Sequence, residues 1–175
     1  ARINLEMGGK DPFIVCSDVA DRIEVAAKGG AWAAFLNSGQ VCTSAERFYV
    51  MEEVYDAYLD AFVDYTRGFV IGDPMESATD IGPMVSSRQR QKVMDQVEAA
   101  VGAGAEVVVG GDSGGRDRGH FYAPAVITGA PAETDEEGRA MRAGVARMWR
   151  ESGVVLVGPN CMGVSKQRRG VPSPA

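Results

Sequence analysis

The stretch GQVCTSAERFYV, residues 39–50, sets a cysteine between a glycine-containing turn and an apolar run that predicts a β-strand. Two interpretations of Cys42 are open. Free cysteine is among the most buried residue types, so Cys42 can be a small apolar residue at the head of a strand. It can also be a nucleophile, because loops at strand ends present reactive groups. Backbone N–H groups in such a turn favour a thiolate, and they can stabilise the negative oxygen that forms when it adds to a carbonyl.

Composition and charge exclude several classes of function. The 175 residues are 45% apolar and 24% charged, as in a soluble globular protein. The net charge of -6 argues against a nucleic-acid surface, which needs clustered positive charge. No apolar run is long enough to cross a bilayer, and the amino terminus lacks the pattern of a secretory signal. We therefore expect a cytoplasmic protein that binds neither nucleic acid nor a membrane.

The cysteines and the single histidine argue against a disulfide framework and a metal site. Cys16, Cys42 and Cys161 are odd in number and widely separated, which suits reduced thiols. Neither they nor His120 fall in a metal-ligand spacing, so we expect no bound metal. Cys16 has no base near it in sequence and keeps the interpretation of a structural thiol.

Strand and helix patterns alternate along the chain and predict an α/β fold. Apolar runs predict strands over residues 12–16, 47–51, 105–111 and 121–128. Apolar residues at three- and four-residue steps predict a first helix, which starts at an Asp18 cap and ends near Asn37 and Gly39. An aromatic stripe predicts a second helix over residues 54–69, and Ser86 is expected to cap a third.

A glutamate near the amino terminus supplies the second group that a cysteine enzyme needs. An enzyme that forms a covalent acyl intermediate requires a base to activate water for its release. Glu6 precedes Gly8 and Gly9, a pair that lets another backbone or a ligand approach closely. Taken alone, a glutamate before two glycines is ordinary turn chemistry, so the interest of Glu6 depends on Cys42.

These stretches together resemble the aldehyde dehydrogenase superfamily. LEMGGKDPFIV, residues 5–15, is similar to its glutamate motif, and FLNSGQVCTSAERFYV, residues 35–50, is similar to its catalytic-cysteine motif. Residues 72–111 and 119–127 continue the pattern of its catalytic domain. The resemblance covers about residues 5–127 and implies a partial aldehyde dehydrogenase catalytic domain.

The resemblance implies oxidation of an aldehyde to a carboxylic acid through a cysteine thioester. Cys42 is then the nucleophile, and its backbone N–H and an asparagine amide stabilise the oxyanion. Glu6 is then the base that activates the hydrolytic water. Asn37 and Gln40 are expected to shape the cysteine loop rather than to take part in the chemistry.

The resemblance also implies a cofactor and partners. Hydride passes to NAD or NADP, and the backbone of Met7, Gly8 and Gly9 lines the route near the nicotinamide. The substrate is a small-molecule aldehyde, and the full-length protein is expected to be a homo-oligomer. In the family a coenzyme-binding domain precedes the glutamate motif, so we expect this chain to be inactive on its own.

A second resemblance follows the first. Residues 134–164, which end in GVVLVGPNCMGV, are similar to the CoA-binding domain of succinyl-CoA synthetase alpha and the ADP-forming acyl-CoA synthetases. We therefore expect a partial aldehyde dehydrogenase catalytic domain at 1–128, a helix-strand piece at 129–165 and a disordered tail at 166–175. The alternatives to an enzyme are a non-catalytic fragment that assembles with a partner chain and a CoA-binding module.

Overall fold

The computed structural model describes residue 3, residues 8–129 and the short strand Gly163–Val164. Glu6 and Met7 lie outside the described residues. So do the predicted tail at 166–175 and, apart from that strand, the segment predicted to resemble a CoA-binding domain. The described strands are β1 (Asp11–Val15), β2 (Ala45–Val50), β3 (Glu106–Val109), β4 (Val126–Thr128) and β5 (Gly163–Val164). The described helices are α1 (Ile23–Phe35), α2 (Tyr55–Arg67) and α3 (Ser87–Gly102). None of these three helices is long and apolar enough to cross a bilayer.

The strands form one mixed sheet in the order β1, β2, β5, β4, β3. β1, β2, β5 and β4 run parallel, and β3 pairs antiparallel with β4. β1, α1 and β2 make a βαβ unit, in which the helix carries the chain back so that the second strand runs parallel to the first. The predicted α/β fold, with strands and helices in alternation, is confirmed.

The pairing of β1 with β2 decides which residues meet where the two strands begin. Asp11 pairs with Ala45, the first residue of β2. Pro12 pairs with Arg47, so Glu46 is an extra residue on β2. Proline has no N–H to donate to a ladder and is confined to edge strands, strand starts and bulges, which fits Pro12 on the edge strand β1. Because both strands begin at the same level, the residues that precede β1 lie beside those that precede β2.

The main core lies between β2 and the helices α1 and α2. On α1, Ala27 and Ala31 are buried on the face that the sequence spacing predicts. On α2, the aromatic stripe forms the other half of this core, and Tyr58 and Phe62 are buried. The Phe62 ring lies 4.9 Å from the Phe48 ring of β2, centroid to centroid, in an edge-on arrangement. Such a pair contributes about 1 kcal/mol beyond the area that it buries.

A second core lies where α3 covers the antiparallel strands. It contains Val97 of α3 and Ile127 of β4, both buried. The helix starts as the sequence predicts, because the Ser86 side chain accepts a hydrogen bond from the Gln89 N–H at 3.2 Å. This cap satisfies one of the N–H groups that a helix leaves without an intrahelical partner.

The first helix begins later than the sequence predicts. α1 starts at Ile23, whereas Asp18 lies in a 3-10 turn, Ser17–Val19. The N–H groups of Val19, Ala20 and Arg22 each bond to the carbonyl three residues earlier. An α-helix capped by Asp18 needs the Arg22 N–H to bond to the Asp18 carbonyl, but this N–H bonds to the Val19 carbonyl instead. A capping residue alone therefore does not set the helix start.

The predicted strand over residues 121–128 is shorter in the structure. Only Val126–Thr128 pairs as β4. Before it, the Ala123 N–H donates to the Asp112 carbonyl at 2.8 Å, and the Ala123 carbonyl accepts from the Gly111 N–H at 3.3 Å. Pro124 has no N–H to donate, which limits ladder formation at this point.

Tyr58 is the buried group with the clearest electrostatic consequence. Its side chain is fully buried, and its hydroxyl has no hydrogen-bond partner among the described residues. Burial therefore raises the pKa of Tyr58 above its ordinary value of 10.0, because a phenolate here would lose its hydration.

We expect Tyr58 to make the folded chain less stable in alkali. Above pH 10.0 the unfolded chain loses the Tyr58 proton while the folded chain keeps it. The folded state then binds more protons, so the free energy of unfolding falls as pH rises. Urea unfolding at about pH 8 and about pH 11 should show a smaller fall in Tyr58→Phe than in the parent chain. An equal fall in both chains contradicts this prediction.

Candidate active site

Cys42 lies in an exposed turn directly before β2. The Ser44 N–H donates to the Val41 carbonyl at 3.0 Å, so Cys42 and Thr43 form the tip of the turn. Among the described residues, the N–H groups of Cys42 and Thr43 donate to no acceptor. The turn therefore combines an exposed thiol with two backbone donors that are free to bind a ligand.

Three successive residues with positive φ connect α1 to this turn. They are Asn37 at 52°, Ser38 at 59° and Gly39 at 72°. Glycine and asparagine adopt this region readily, but a serine there carries strain of about 1 kcal/mol or more. The Ser38 hydroxyl donates to the Gly82 carbonyl at 2.9 Å, and this bond stabilises the strained conformation. Serine carries no strong signal for positive φ, so Ser38 was not predicted to shape this turn.

Gln40 connects the positive-φ turn to a neighbouring loop. Its Nε2 donates to the Asn37 carbonyl at 3.2 Å, and its Oε1 accepts from the Val85 N–H at 2.9 Å. The Asn37 Nδ2 donates in turn to the Gln40 carbonyl at 3.3 Å. These contacts agree with the prediction that Asn37 and Gln40 shape the cysteine loop.

The loop between α2 and α3 supports the cysteine turn from outside the motif. Its base is closed, because the Val70 carbonyl accepts from the Ile81 N–H at 3.0 Å and Asp80 Oδ2 accepts from the Val70 N–H at 2.8 Å. An open cleft of about 310 Å³ separates this loop from the positive-φ turn, and Cys42 does not line it. Glycine and proline in the sequence indicate a loop here, but no local pattern indicates where it packs.

The glycine pair that follows Glu6 reaches the cysteine turn. A Cβ built on Gly9 would lie 2.7 Å from the Cys42 carbonyl carbon and 3.3 Å from its Cα. A Cβ built on Gly8 in the same way meets no atom within 4 Å in the described part of the chain, its chain neighbours aside. The two glycines, which the family resemblance treats alike as cofactor contacts, therefore have different surroundings.

Arg47 fastens the segment before β1 to β2. Its side chain is 5% exposed, and its guanidinium donates to the Lys10 carbonyl. The Lys10 Nζ lies 3.4 Å from Glu46 Oε2. A hydrogen bond from a guanidinium is stronger than one from a neutral donor, so this contact keeps the backbone next to Gly9 in place. An arginine in a strand carries no signal for burial, so Arg47 was predicted only as part of a strand.

The structure brings together part of the predicted site. Gly9 lies against Cys42, and Gly8 is the residue before Gly9 in the chain. Glu6 and Met7 are outside the described residues, so their roles stay predictions. Cys16 follows the last residue of β1, at the opposite end of that strand from Gly9, and its role as a structural thiol stays a prediction.

We expect Gln40→Ala to loosen the contact between the cysteine turn and the loop before α3. The change removes the acceptor for the Val85 N–H, and a hydrogen bond of this kind contributes about 1 kcal/mol, so that amide should exchange its hydrogen several-fold faster. Gln40→Glu is the matched control, because it keeps an oxygen acceptor at this position. Equal exchange of the Val85 amide in Gln40→Ala and the parent chain contradicts the prediction.

Comparison with known proteins extends the family resemblance. The Aldehyde dehydrogenase family matches residues 1–136. This range is longer at both ends than the resemblance found in the sequence. It includes residues 134–136, which the sequence assigned to the start of a CoA-binding segment. The resemblance of the rest of that segment to CoA-binding domains stays a prediction.

Individual relatives agree with the family match. The chain is 36% identical over 138 residues to D-glyceraldehyde dehydrogenase (NADP(+)) of Picrophilus torridus, covering 77% of this chain and 27% of that protein. It is 42% identical over 124 residues to succinate-semialdehyde dehydrogenase (NADP(+)) of Mycolicibacterium paratuberculosis, covering 71% and 26%. The fold matches betaine aldehyde dehydrogenase from Staphylococcus aureus in complex with NAD+ with a TM-score of 0.66 at 29% identity, covering 71% and 25%.

The chain thus spans about a quarter of the length of these relatives. The family match covers most of the chain, and it includes both the glutamate motif and the cysteine motif. Sequence and fold together show that the chain belongs to the aldehyde dehydrogenase family.

Proposed function

We propose that this chain is the catalytic-cysteine segment of an NAD(P)-dependent aldehyde dehydrogenase, which oxidises a small-molecule aldehyde to a carboxylic acid. The observation that carries the proposal is the contact between Gly9 and the Cys42 backbone. It joins the glutamate motif to the cysteine motif, although 36 residues (42 minus 6) separate Glu6 from Cys42. The relatives that are named as aldehyde dehydrogenases support the same class of reaction.

The chemistry begins at the Cys42 thiolate. Its sulfur adds to the aldehyde carbon, so a C–S bond forms and an electron pair of the carbonyl moves to oxygen. The free N–H groups of Cys42 and Thr43 are the backbone donors that this turn offers to the oxyanion. When hydride leaves the same carbon, a thioester remains on Cys42.

NAD or NADP, when bound, accepts that hydride. Gly8 fits a position beside a flat ring, because no atom of the described residues beyond its chain neighbours lies within 4 Å of the place where its side chain would be. Gly9 presents to a ligand only the side that faces away from Cys42, because the Cys42 backbone covers its opposite side. We therefore assign the contacts near the nicotinamide to the backbone of Met7, Gly8 and Gly9, with Gly8 as the open position.

Glu6 is assigned the release step. Its carboxylate takes a proton from water, the resulting hydroxide attacks the thioester carbon, and the C–S bond breaks to free the Cys42 thiolate and the acid. Glu6 stands three residues (9 minus 6) before Gly9. Three extended residues span at most about 10 Å, which keeps Glu6 within reach of the cysteine turn.

The proposal is tested by transferring the matching segment of this chain into a longer relative. The matching 124 residues of the Mycolicibacterium paratuberculosis enzyme are replaced by those of this chain. We expect the hybrid to produce NADPH with an aldehyde, and Cys42→Ser to abolish this because serine is a far weaker nucleophile at neutral pH. Cys16→Ser is the matched control and should keep the activity. A folded hybrid without activity contradicts the proposal.

The proposed roles of Cys42 and Glu6 are distinguished by the intermediate that accumulates when each residue is changed. In the same hybrid, Glu6→Gln should slow turnover by about 100-fold or more and let an acylated Cys42 accumulate, which mass spectrometry of the Cys42 peptide detects. Cys42→Ser should show no such adduct. The chain by itself, which we expect to be inactive, is assayed in parallel, and Cys42-dependent NAD(P)H formation would overturn that expectation.

Exposed apolar side chains on α1 favour a second candidate, a non-catalytic fragment that assembles with a partner chain. Val25 is 70% exposed and Trp32 is 60% exposed, and the two residues lie two turns apart on the same face. A mass that rises with concentration in sedimentation supports assembly between copies, and a monomer at every concentration counts against it. Homo-oligomerisation of the full-length protein is proposed on the family resemblance.

The CoA-binding module predicted from residues 134–164 is a separate hypothesis. Its chemistry differs from that of the cysteine site, so a test of CoA binding does not decide the aldehyde dehydrogenase proposal, and a test of activity does not decide CoA binding. Titration calorimetry with CoA tests it directly, and the absence of heat would remove it.

A further inference from the structure

We propose that Gly9 is a positioning residue for Cys42. Because Gly9 has no side chain, the Cys42 carbonyl rests against its α-carbon, and this contact sets the distance between the cysteine turn and the glutamate motif. The inference deepens the proposed function, since it takes Cys42 as the nucleophile. It assigns to Gly9 a steric role that differs from the cofactor contact implied by the family resemblance.

The contact is between backbones and therefore cannot be relieved by a side-chain rotation. A Cβ on Gly9 would lie 2.7 Å from the Cys42 carbonyl carbon, closer than real Cβ atoms approach another heavy atom. The end of a flexible side chain would swing aside at small cost, whereas a carbonyl group moves only if the turn that carries it moves. Any side chain at position 9 must therefore displace the Cys42 turn or the Gly9 segment.

The backbone conformation of Gly9 does not itself require glycine. The glycines with positive φ include Gly39 but not Gly9, so an alanine at position 9 meets no backbone strain. Among the described residues, the three atoms nearest to the place of a Gly9 Cβ all belong to the Cys42 backbone, and they exclude a side chain there. This separates Gly9 from Gly39, where φ is 72° and the conformation alone favours glycine.

When a side chain is added at position 9, we expect the Cys42 turn to move rather than the Gly9 segment. On the other side of the contact, the Arg47 guanidinium binds the Lys10 carbonyl, and Asp11 is paired with Ala45 in the sheet. The turn has one internal backbone bond, from the Ser44 N–H to the Val41 carbonyl, and its tip is exposed. A side chain at position 9 should therefore shift Cys42 before it disturbs the sheet.

The test compares Gly9→Ala with Gly8→Ala in the 175-residue chain without cofactor. Both changes add one methyl group, but only that of Gly9→Ala meets the Cys42 backbone. The rate of alkylation by iodoacetamide is measured for Cys42 and Cys16 by peptide mass spectrometry across a range of pH. Cys16 reports general loosening, whereas the ratio of the two rates reports a change confined to Cys42.

In Gly9→Ala we expect the rate at Cys42 to fall roughly tenfold, because the displaced sulfur loses its alignment with the turn N–H groups. The rate at Cys16 should stay as in the parent chain, and Gly8→Ala should leave both rates within about twofold. An equal ratio of rates in the two variants overturns the proposal. If Cys42 in the parent chain reacts no faster than Cys16, the proposed activation of Cys42 is wrong, which is a separate outcome.

A measurement on the parent chain decides the case in which Gly9→Ala does not fold. The contact predicts a nuclear Overhauser effect between the α-protons of Gly9 and Cys42. Its presence supports the positioning role whether or not the variant folds. Its absence in the folded parent chain overturns the proposal.

Discussion

The parallel pairing of β1 with β2 is the constraint on which the site depends. Asp11 opposite Ala45 sets both strands to begin at one level, and the extra residue Glu46 is accommodated where Pro12 has no N–H to pair. The two segments that precede the strands therefore meet, and α1 supplies the crossover that parallel strands need. Closing a long segment costs little more entropy than closing a short one, so two motifs far apart in sequence can share one site.

The cysteine turn is supported from two directions by contacts of different kinds. On one side the Gly9 backbone sets a steric limit, and the buried guanidinium of Arg47 keeps the neighbouring backbone in place. On the other side the Ser38 hydroxyl and the Gln40 amide bind the loop that precedes α3. Each of these hydrogen bonds contributes about 1 kcal/mol, which is comparable to the strain of one residue at positive φ. These contacts lie on both sides of the turn and leave its tip exposed, which suits a site that offers backbone N–H groups to a developing charge.

Elements with strong local signals were predicted well. The aromatic stripe of α2 faces the core, and Ser86 caps α3, because three- and four-residue spacing and side-chain capping act within one or two turns of a helix. The start of α1 and the length of β4 were wrong. At both places backbone bonds to neighbouring turns compete with the regular element, and no pattern of apolar residues reports that competition. The burial of Arg47 was missed for the same reason, since it depends on a carbonyl 37 residues away.

The sequence by itself determined the α/β class, the identity of most helices and strands, and the chemistry on offer: a cysteine before a strand, a glutamate with two glycines, and turn residues between them. These properties are local, because periodicity, capping and side-chain chemistry are written in neighbouring residues. Only the tertiary structure decided that Gly9 rather than Gly8 faces Cys42, and that a hydrogen bond to Gly82 stabilises Ser38 at positive φ. Such contacts follow from the register of the sheet and the packing of loops, and both result from many pairings between distant residues that no local pattern encodes.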